Sequence, residues 1–184
     1  MLPTHFDLTY SFDEIEARVS ALGAEINFWA ENTWKESHTD LLTIPVLRGG
    51  IFFFADLVRE IPRSVEIAPA RTWAYQSSVN NERRADVTVN LEGVPAKGRH
   101  ILLVDDICDS GRTLATLKDA LLRAGALDVR AAVLIRRAIE KPHFMPEWVG
   151  FEYSGNEWFV GYGMEDSNRW RNLKDIYIIR QVVE

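Results

Sequence analysis

Cysteine occurs once in this 184-residue chain, as Cys108. One thiol closes no internal disulfide and cannot build a cysteine zinc site, so a reducing, cytoplasmic setting is expected. Long hydrophobic runs are missing as well. The longest, residues 51–57, contains an aspartate and falls far short of the ~20 apolar residues that cross a bilayer. No membrane-spanning helix is expected, and no membrane partner. The opening MLPTHFDLTYSFDE has no basic segment followed by an apolar stretch, so no secretory leader is expected either. Basic residues are in deficit, with 21 Lys and Arg against 27 Asp and Glu and a net charge of -6. A general nucleic-acid binder carries the opposite balance, which excludes that class of partner. The histidines His5, His38, His100 and His143 show no metal-ligand spacing, so no zinc site is expected. Repeats, low-complexity tracts and Ser/Gly linkers are absent, which reads as one domain over residues 1–184.

Apolar residues make up 47% of the chain, enough to bury a core that offsets chain entropy. Ser11 and Glu14 have the spacing of a capping box, and Ile15, Val19, Leu22, Ile26 and Trp29 follow at helical intervals. Residues 42–47 read as a buried strand ending in Arg48-Gly49-Gly50, and residues 51–60 as a helix that stops before Pro62. Residues 65–75 read as a strand, 77–85 as a polar loop, and Val87 and Val89 as a hairpin-like return. HILLV at 100–104 is the next buried strand. Leu114, Leu117, Leu121 and Leu122 then mark a helix ending near Gly125. Strands follow at 129–135, 159–162 and 176–179. Trp29, Trp34, Trp73, Trp148 and Trp170 read as core or interface aromatics. Alternation of strand, turn and helix defines an α/β domain with a mainly parallel sheet, whose reactive groups collect at the carboxyl ends of the strands.

The segment VDDICDSGRT, residues 104–113, sits at such an end. Asp105 and Asp106 are adjacent carboxylates that repel unless a cation or hydroxyl donors lie between them. Asp109, Ser110, Gly111, Arg112 and Thr113 form the turn into the leucine-spaced helix. Their amides would point outward at the positive end of the helix dipole, and the two hydroxyls add donors. An isolated turn of this kind also reads as a plain helix cap. The whole segment, in strand-turn-helix context, asks for a phosphorylated sugar. Cys108 lies inside it and reads as an inward-facing small residue, against a catalytic thiol as the alternative.

VDDICDSGRT resembles the phosphoribosyl-pyrophosphate motif of the type I phosphoribosyltransferases. Three further stretches resemble the hypoxanthine-guanine branch: VLRGGIFFFADL at 46–57 as pyrophosphate loop and following helix, VGFEYSGNEWFVGYG at 149–163 as base-binding segment, and RWRNL at 169–173. The resemblance covers the chain from about residue 44 onward. It implies a mainly parallel central sheet flanked by helices, with a small hood built from terminal segments: residues 1–40 and a base-binding region at 139–172, with 77–86 as a mobile lid. It implies transfer of 5-phosphoribosyl from its 1-pyrophosphate to hypoxanthine or guanine in purine salvage, with Mg²⁺, in a homodimer or homotetramer. Asp105 and Asp106 match the acidic pair that holds ribose hydroxyls and magnesium. Asp109 matches the general base at purine N7, and Asp109 to Thr113 the 5′-phosphate loop. Arg48, Gly49 and Arg171 match pyrophosphate contacts, with a cis peptide between Leu47 and Arg48. Trp158 takes the place of the aromatic that stacks on the base, and Phe159 supplies backbone contacts to its edge.

The sequence departs from that pattern at three places. The lid carries Ser77-Ser78 where the family has Ser-Tyr, and its Arg83 and Arg84 read as a solvated face or as participants in catalysis. The carboxylate after the base-binding strand is Glu165, a candidate metal ligand, beside Asp166. The family lysine that donates to the purine 6-oxo group is expected just before Val149, where Met145 stands; Lys141, four residues earlier, is the available substitute. Xanthine or adenine therefore stays open as the base, as does a regulator that binds the donor without turnover. Such a regulator is expected to lose Asp109 or the Trp158 aromatic, and both are present.

Overall fold

The computed structural model describes residues 2–68 and 91–180. Strand β1 (Phe6–Tyr10) precedes helix α1 (Phe12–Ser37), and β2 (Leu41–Pro45) precedes α2 (Ile51–Arg59) and β3 (Val65–Ile67). Beyond residue 91 come β4 (His100–Cys108), α3 (Arg112–Arg123), β5 (Asp128–Arg137), β6 (Trp148–Tyr153), β7 (Trp158–Val160) and β8 (Ile176–Ile179). The expected lid at 77–86, Trp73, the return at Val87 and Val89, and the strand expected beyond residue 68 lie outside the described residues.

The capping box starts α1 as expected. The Ser11 side chain accepts from the Glu14 amide, and the Ser11 amide donates to Glu14 Oε2 at 2.8 Å. Ile15, Val19, Leu22, Ile26 and Trp29 all face inward, so the 3.6-residue period placed the helix correctly.

Five parallel strands form the central sheet in the order β3-β2-β4-β5-β6. Along β4, Ile101 and Leu103 point to the face covered by α3, while Leu102 and Val104 point to the face covered by α1 and α2. Coverage on both faces explains why HILLV shows no polar alternation. A second, antiparallel sheet in the order β1-β8-β7 joins the two terminal segments as a hood. Its bounds are other than the expected 1–40 and 139–172: α1 and β6 belong to the central layer, and β8 lies beyond 172.

Several elements differ from expectation, among them the strands expected at 42–47 and 159–162, which run Leu41–Pro45 and Trp158–Val160. β4 continues to Cys108 because the ten-residue β5 pairs with it that far, so Asp105 and Asp106 lie within the strand and not at its tip. β1 and β6 were not expected as strands. β1 finds its partner at the far end of the chain and buries no residue fully, so local patterning carries little trace of it. β6 is an edge strand of the sheet, half-buried along most of its length.

Candidate active site

Asp105 is buried, with 8% of its surface exposed, and its Oδ1 accepts the Asp106 amide at 3.0 Å. Burial, reinforced by the neighbouring Asp106 charge, pushes the Asp105 carboxyl well above the usual carboxylate range. Asp106 is raised as well, again chiefly by burial, with hydrogen bonds and the Arg171 charge pulling the other way. A buried carboxyl beside a half-buried one calls for a positive or donating ligand. A divalent cation such as magnesium fits that donor set, because it takes one or two protein carboxylates and completes its shell with substrate oxygens and water.

The turn after β4 is shaped for a phosphate. Gly111 caps α3 with φ 75°, and a Cβ there would also meet the Phe144 backbone at 2.7 Å, so only glycine fits without strain. The His143 amide donates to the Ser110 carbonyl at 2.8 Å, and Arg112 approaches the His143 ring at 3.4 Å. Turned this way, the first amides of α3 lead a twelve-residue helix whose dipole favours an anion.

On the other side, the Val46 amide donates to Val104 and carries the chain from β2 past the acidic pair. The Leu47–Arg48 peptide is cis. Gly49 follows in close approach to Asp106, where a Cβ would overlap its carboxylate. Arg48 donates to Asn168 Oδ1 at 3.4 Å, and Arg171 donates to the Gly163 carbonyl at 2.6 Å. Arg171 also pairs with Glu165 at 3.3 Å, while the second Glu165 oxygen accepts the Asn168 amide. Among the described residues no three His, Cys, Asp or Glu side chains gather as a metal site. Glu165 is thus engaged by Arg171 and the 168 amide and stands apart from the Asp105–Asp106 pair.

The third side holds the residue that sequence reasoning missed. Arg137, the last residue of β5, donates from Nε to Asp109 Oδ1 at 2.6 Å. Its Nη1 and Nη2 donate to the Gly155 and Glu157 carbonyls at 2.5 and 2.7 Å. The guanidinium lies 5.1 Å from the centre of the Phe159 ring, which is buried. Trp158 is exposed, and its indole donates to the Glu165 carbonyl at 2.6 Å. Lys141 is exposed on the loop after β5, and Met145 accepts from Arg136 through its sulfur. The cation beside Asp109 is therefore neither of the positions considered from sequence. One signal was available: two arginines close the apolar run AAVLIRR at the end of a strand, where sites collect. Cys108 is buried, its thiol pushed up to about 11 by burial and by the charges of Asp105 and Asp109. It stays protonated near neutrality, as an inward-facing residue should.

The comparisons with known proteins agree with this geometry. Residues 13–167 match the phosphoribosyl transferase domain family. The chain belongs to the phosphoribosyltransferase family, in the branch that holds the hypoxanthine-guanine enzymes. It is 36% identical to hypoxanthine phosphoribosyltransferase of Haemophilus influenzae, over 98% of this chain and 97% of the relative. It is 32% identical to hypoxanthine-guanine phosphoribosyltransferase of Mycobacterium avium, over 89% and 80%. Its fold is that of a hypoxanthine phosphoribosyltransferase variant from Trypanosoma cruzi, solved in complex with the product IMP. That likeness has a TM-score of 0.80 at 23% identity and covers 98% of this chain and 94% of the other.

Proposed function

We propose that this protein transfers the 5-phosphoribosyl group of 5-phosphoribosyl 1-pyrophosphate to a 6-oxopurine, hypoxanthine or guanine, in purine salvage. The products are the nucleoside monophosphate and pyrophosphate. The observation that carries this reading is convergence on one end of β4. The Asp105–Asp106 pair leads into the turn at 109–113, Gly49 approaches the Asp106 carboxylate, and the Gly163 turn that holds Arg171 packs on the Gly49 carbonyl. Together these groups would supply hydroxyl acceptors, a phosphate cup and a pyrophosphate grip for the donor.

In the reaction the C1′–O bond to pyrophosphate breaks as the purine ring nitrogen bonds to C1′. Positive charge grows on the ribose and negative charge on the leaving group. Arg48 and Arg171 stabilise the leaving oxygens, and the two aspartates hold the ribose hydroxyls. Asp105 and Asp106 would hold a magnesium ion, which would supply charge neutralisation at the pyrophosphate. Asp109 shares the proton on N7 as the base attacks.

Base choice falls to Arg137. With Nε on Asp109 and two further N–H groups on hood carbonyls, its remaining N–H groups suit a 6-oxo acceptor and repel a 6-amino group. It takes the role that the resemblance gives to a lysine. Trp158 and Phe159 frame the ring, with the β1-β8-β7 sheet as hood and 77–86 as lid on a single domain. A homodimer or homotetramer in the cytoplasm completes the reading. None of the described helices is long and apolar enough to cross a membrane.

The test is turnover. Incubation with the donor, Mg²⁺ and a panel of purines should yield inosine and guanosine monophosphate with release of pyrophosphate. Nucleotide from adenine alone would overturn the base assignment. Tight binding of the donor without turnover of any base would favour the regulator.

A further inference from the structure

Tyr162 lies outside every role assigned so far, and its setting is unusual. It is buried, with φ 48°, between Gly161 at φ 100° and Gly163 at φ 102°. Gly161 and Met164 exchange backbone hydrogen bonds at 3.0 Å, so Tyr162 and Gly163 are the two central residues of a turn with both φ positive. A non-glycine residue in this region is held there by its surroundings. The turn is tied on both flanks. The Tyr162 amide donates to Leu173, the Gly163 amide to the Arg171 carbonyl, and the Arg171 side chain back to the Gly163 carbonyl. Gly163 also packs on the Gly49 carbonyl so closely that a Cβ would overlap it.

From this turn the Tyr162 hydroxyl reaches across 106 residues of sequence and donates to Asp56 Oδ2 at 2.5 Å. Asp56 lies on α2, the helix that begins one residue after Gly50. Its other oxygen faces Arg59 at 3.8 Å, on the solvent side. The bond therefore joins the two bodies that hold the pyrophosphate grip: α2, which carries the loop with Arg48 and Gly49, and the turn that anchors Arg171. A hydrogen bond to a carboxylate is about twice as strong as one between neutral groups. Placed behind the loop that carries Arg48, it sets where that loop rests relative to Arg171.

We infer that the Tyr162–Asp56 hydrogen bond is a positioning clasp for the pyrophosphate half of the site, and that both residues govern donor and pyrophosphate affinity without touching either ligand. The inference rests on the functional reading above for the identity of the ligand at Arg48 and Arg171. Tyr162→Phe removes only the hydroxyl. In that variant the affinity for pyrophosphate with Mg²⁺, read by calorimetry, should fall roughly tenfold, the effect of one charge-assisted hydrogen bond. KM for the donor should rise in parallel, with kcat and KM for the base within about twofold. Affinity for the product monophosphate, which contacts the 109–113 turn, should not change. Asp56→Leu should reproduce the loss, and the double variant should add little to either, as for two ends of one bond.

A merely structural role would lower pyrophosphate and monophosphate affinity together, and that result overturns the inference. Unchanged pyrophosphate affinity in Tyr162→Phe overturns it too. If the native chain turns over no purine yet binds pyrophosphate, the functional reading fails while the affinity comparison still decides the clasp. If the native chain binds no pyrophosphate, both fall.

Discussion

The central sheet and the hood are built on different terms. In β4 and β5, residues 101–104 and 131–135 are sealed on both faces, each within 0% exposure. The outer hood strands bury far less: β1 has no fully buried residue and β8 has only Ile176, while β7 buries Phe159 and Val160. Backbone differs in the same direction. Tyr162, Ser167, Asn168 and Trp170 all take positive φ in the segment between β7 and β8, whereas no non-glycine residue of the central sheet does. The phosphate and acidic groups thus stand on the rigid layer, where a displacement must break close packing. The Arg171 anchor stands on a thinner layer held by individual hydrogen bonds. Arg137 joins the two layers, rising from the end of β5 to the Gly155 and Glu157 carbonyls.

That contrast can be broken at four points, from the largest effect to the smallest. Asp109→Asn should lower kcat by about ten- to ten-thousand-fold with the melting temperature nearly unchanged, if the turn after β4 supplies the general base. Normal kcat in that variant would remove the base assignment. Leu103→Ala, inside β4, should cost about 2–5 kcal/mol in urea unfolding, while Leu8→Ala, exposed on β1, should stay within roughly 0.5 kcal/mol. Equal costs would erase the distinction between sealed sheet and thin hood. Arg137→Met should raise kcat/KM for adenine relative to hypoxanthine by about tenfold or more, since the donor to a 6-oxo group and the repulsion of an amino group vanish together. Unaltered discrimination would return base choice to another residue.

The smallest effect runs in the stabilising direction. Burial holds the Asp105 proton above the usual carboxylate range, so the folded state binds it more tightly than the unfolded chain does. This group therefore adds stability as pH falls from its raised pKa toward the unfolded value of about 3.9, and withdraws it as pH rises. Asp105→Asn removes the charge and keeps an oxygen for the Asp106 amide. At pH 7 it should raise unfolding stability, read as a higher melting temperature, and the gain should shrink at pH 4. Donor binding should be lost in the same variant. A fall in stability at neutral pH would show that the acidic pair carries no strain.

Legibility followed the same division. The leucines of α3 and the capped start of α1 obey a period and HILLV is an unbroken apolar run, so their elements could be placed from local order alone. The acidic pair and the phosphate turn could be read because strand, turn and helix follow without interruption. β1 and β6 escaped because half-buried edge strands carry a weak alternation that neighbouring loops obscure. Arg137 escaped because a charged residue at a strand end obeys no period. Its partner Asp109 is 28 residues away in sequence, and only the β4–β5 pairing brings the two ends level.

By itself, the sequence determined the two sealed strands, the amphipathic helices and the strand-turn-helix at 104–113. Each of these depends on residues within a few positions of one another. Only the tertiary structure decided which cation meets Asp109, how Arg48 reaches Asn168 across 120 residues, and how Tyr162 fastens α2 to the hood. The reason is physical: local periodicity records which face of an element is buried, whereas a polar pair formed between distant elements leaves no mark until the strands have taken their order.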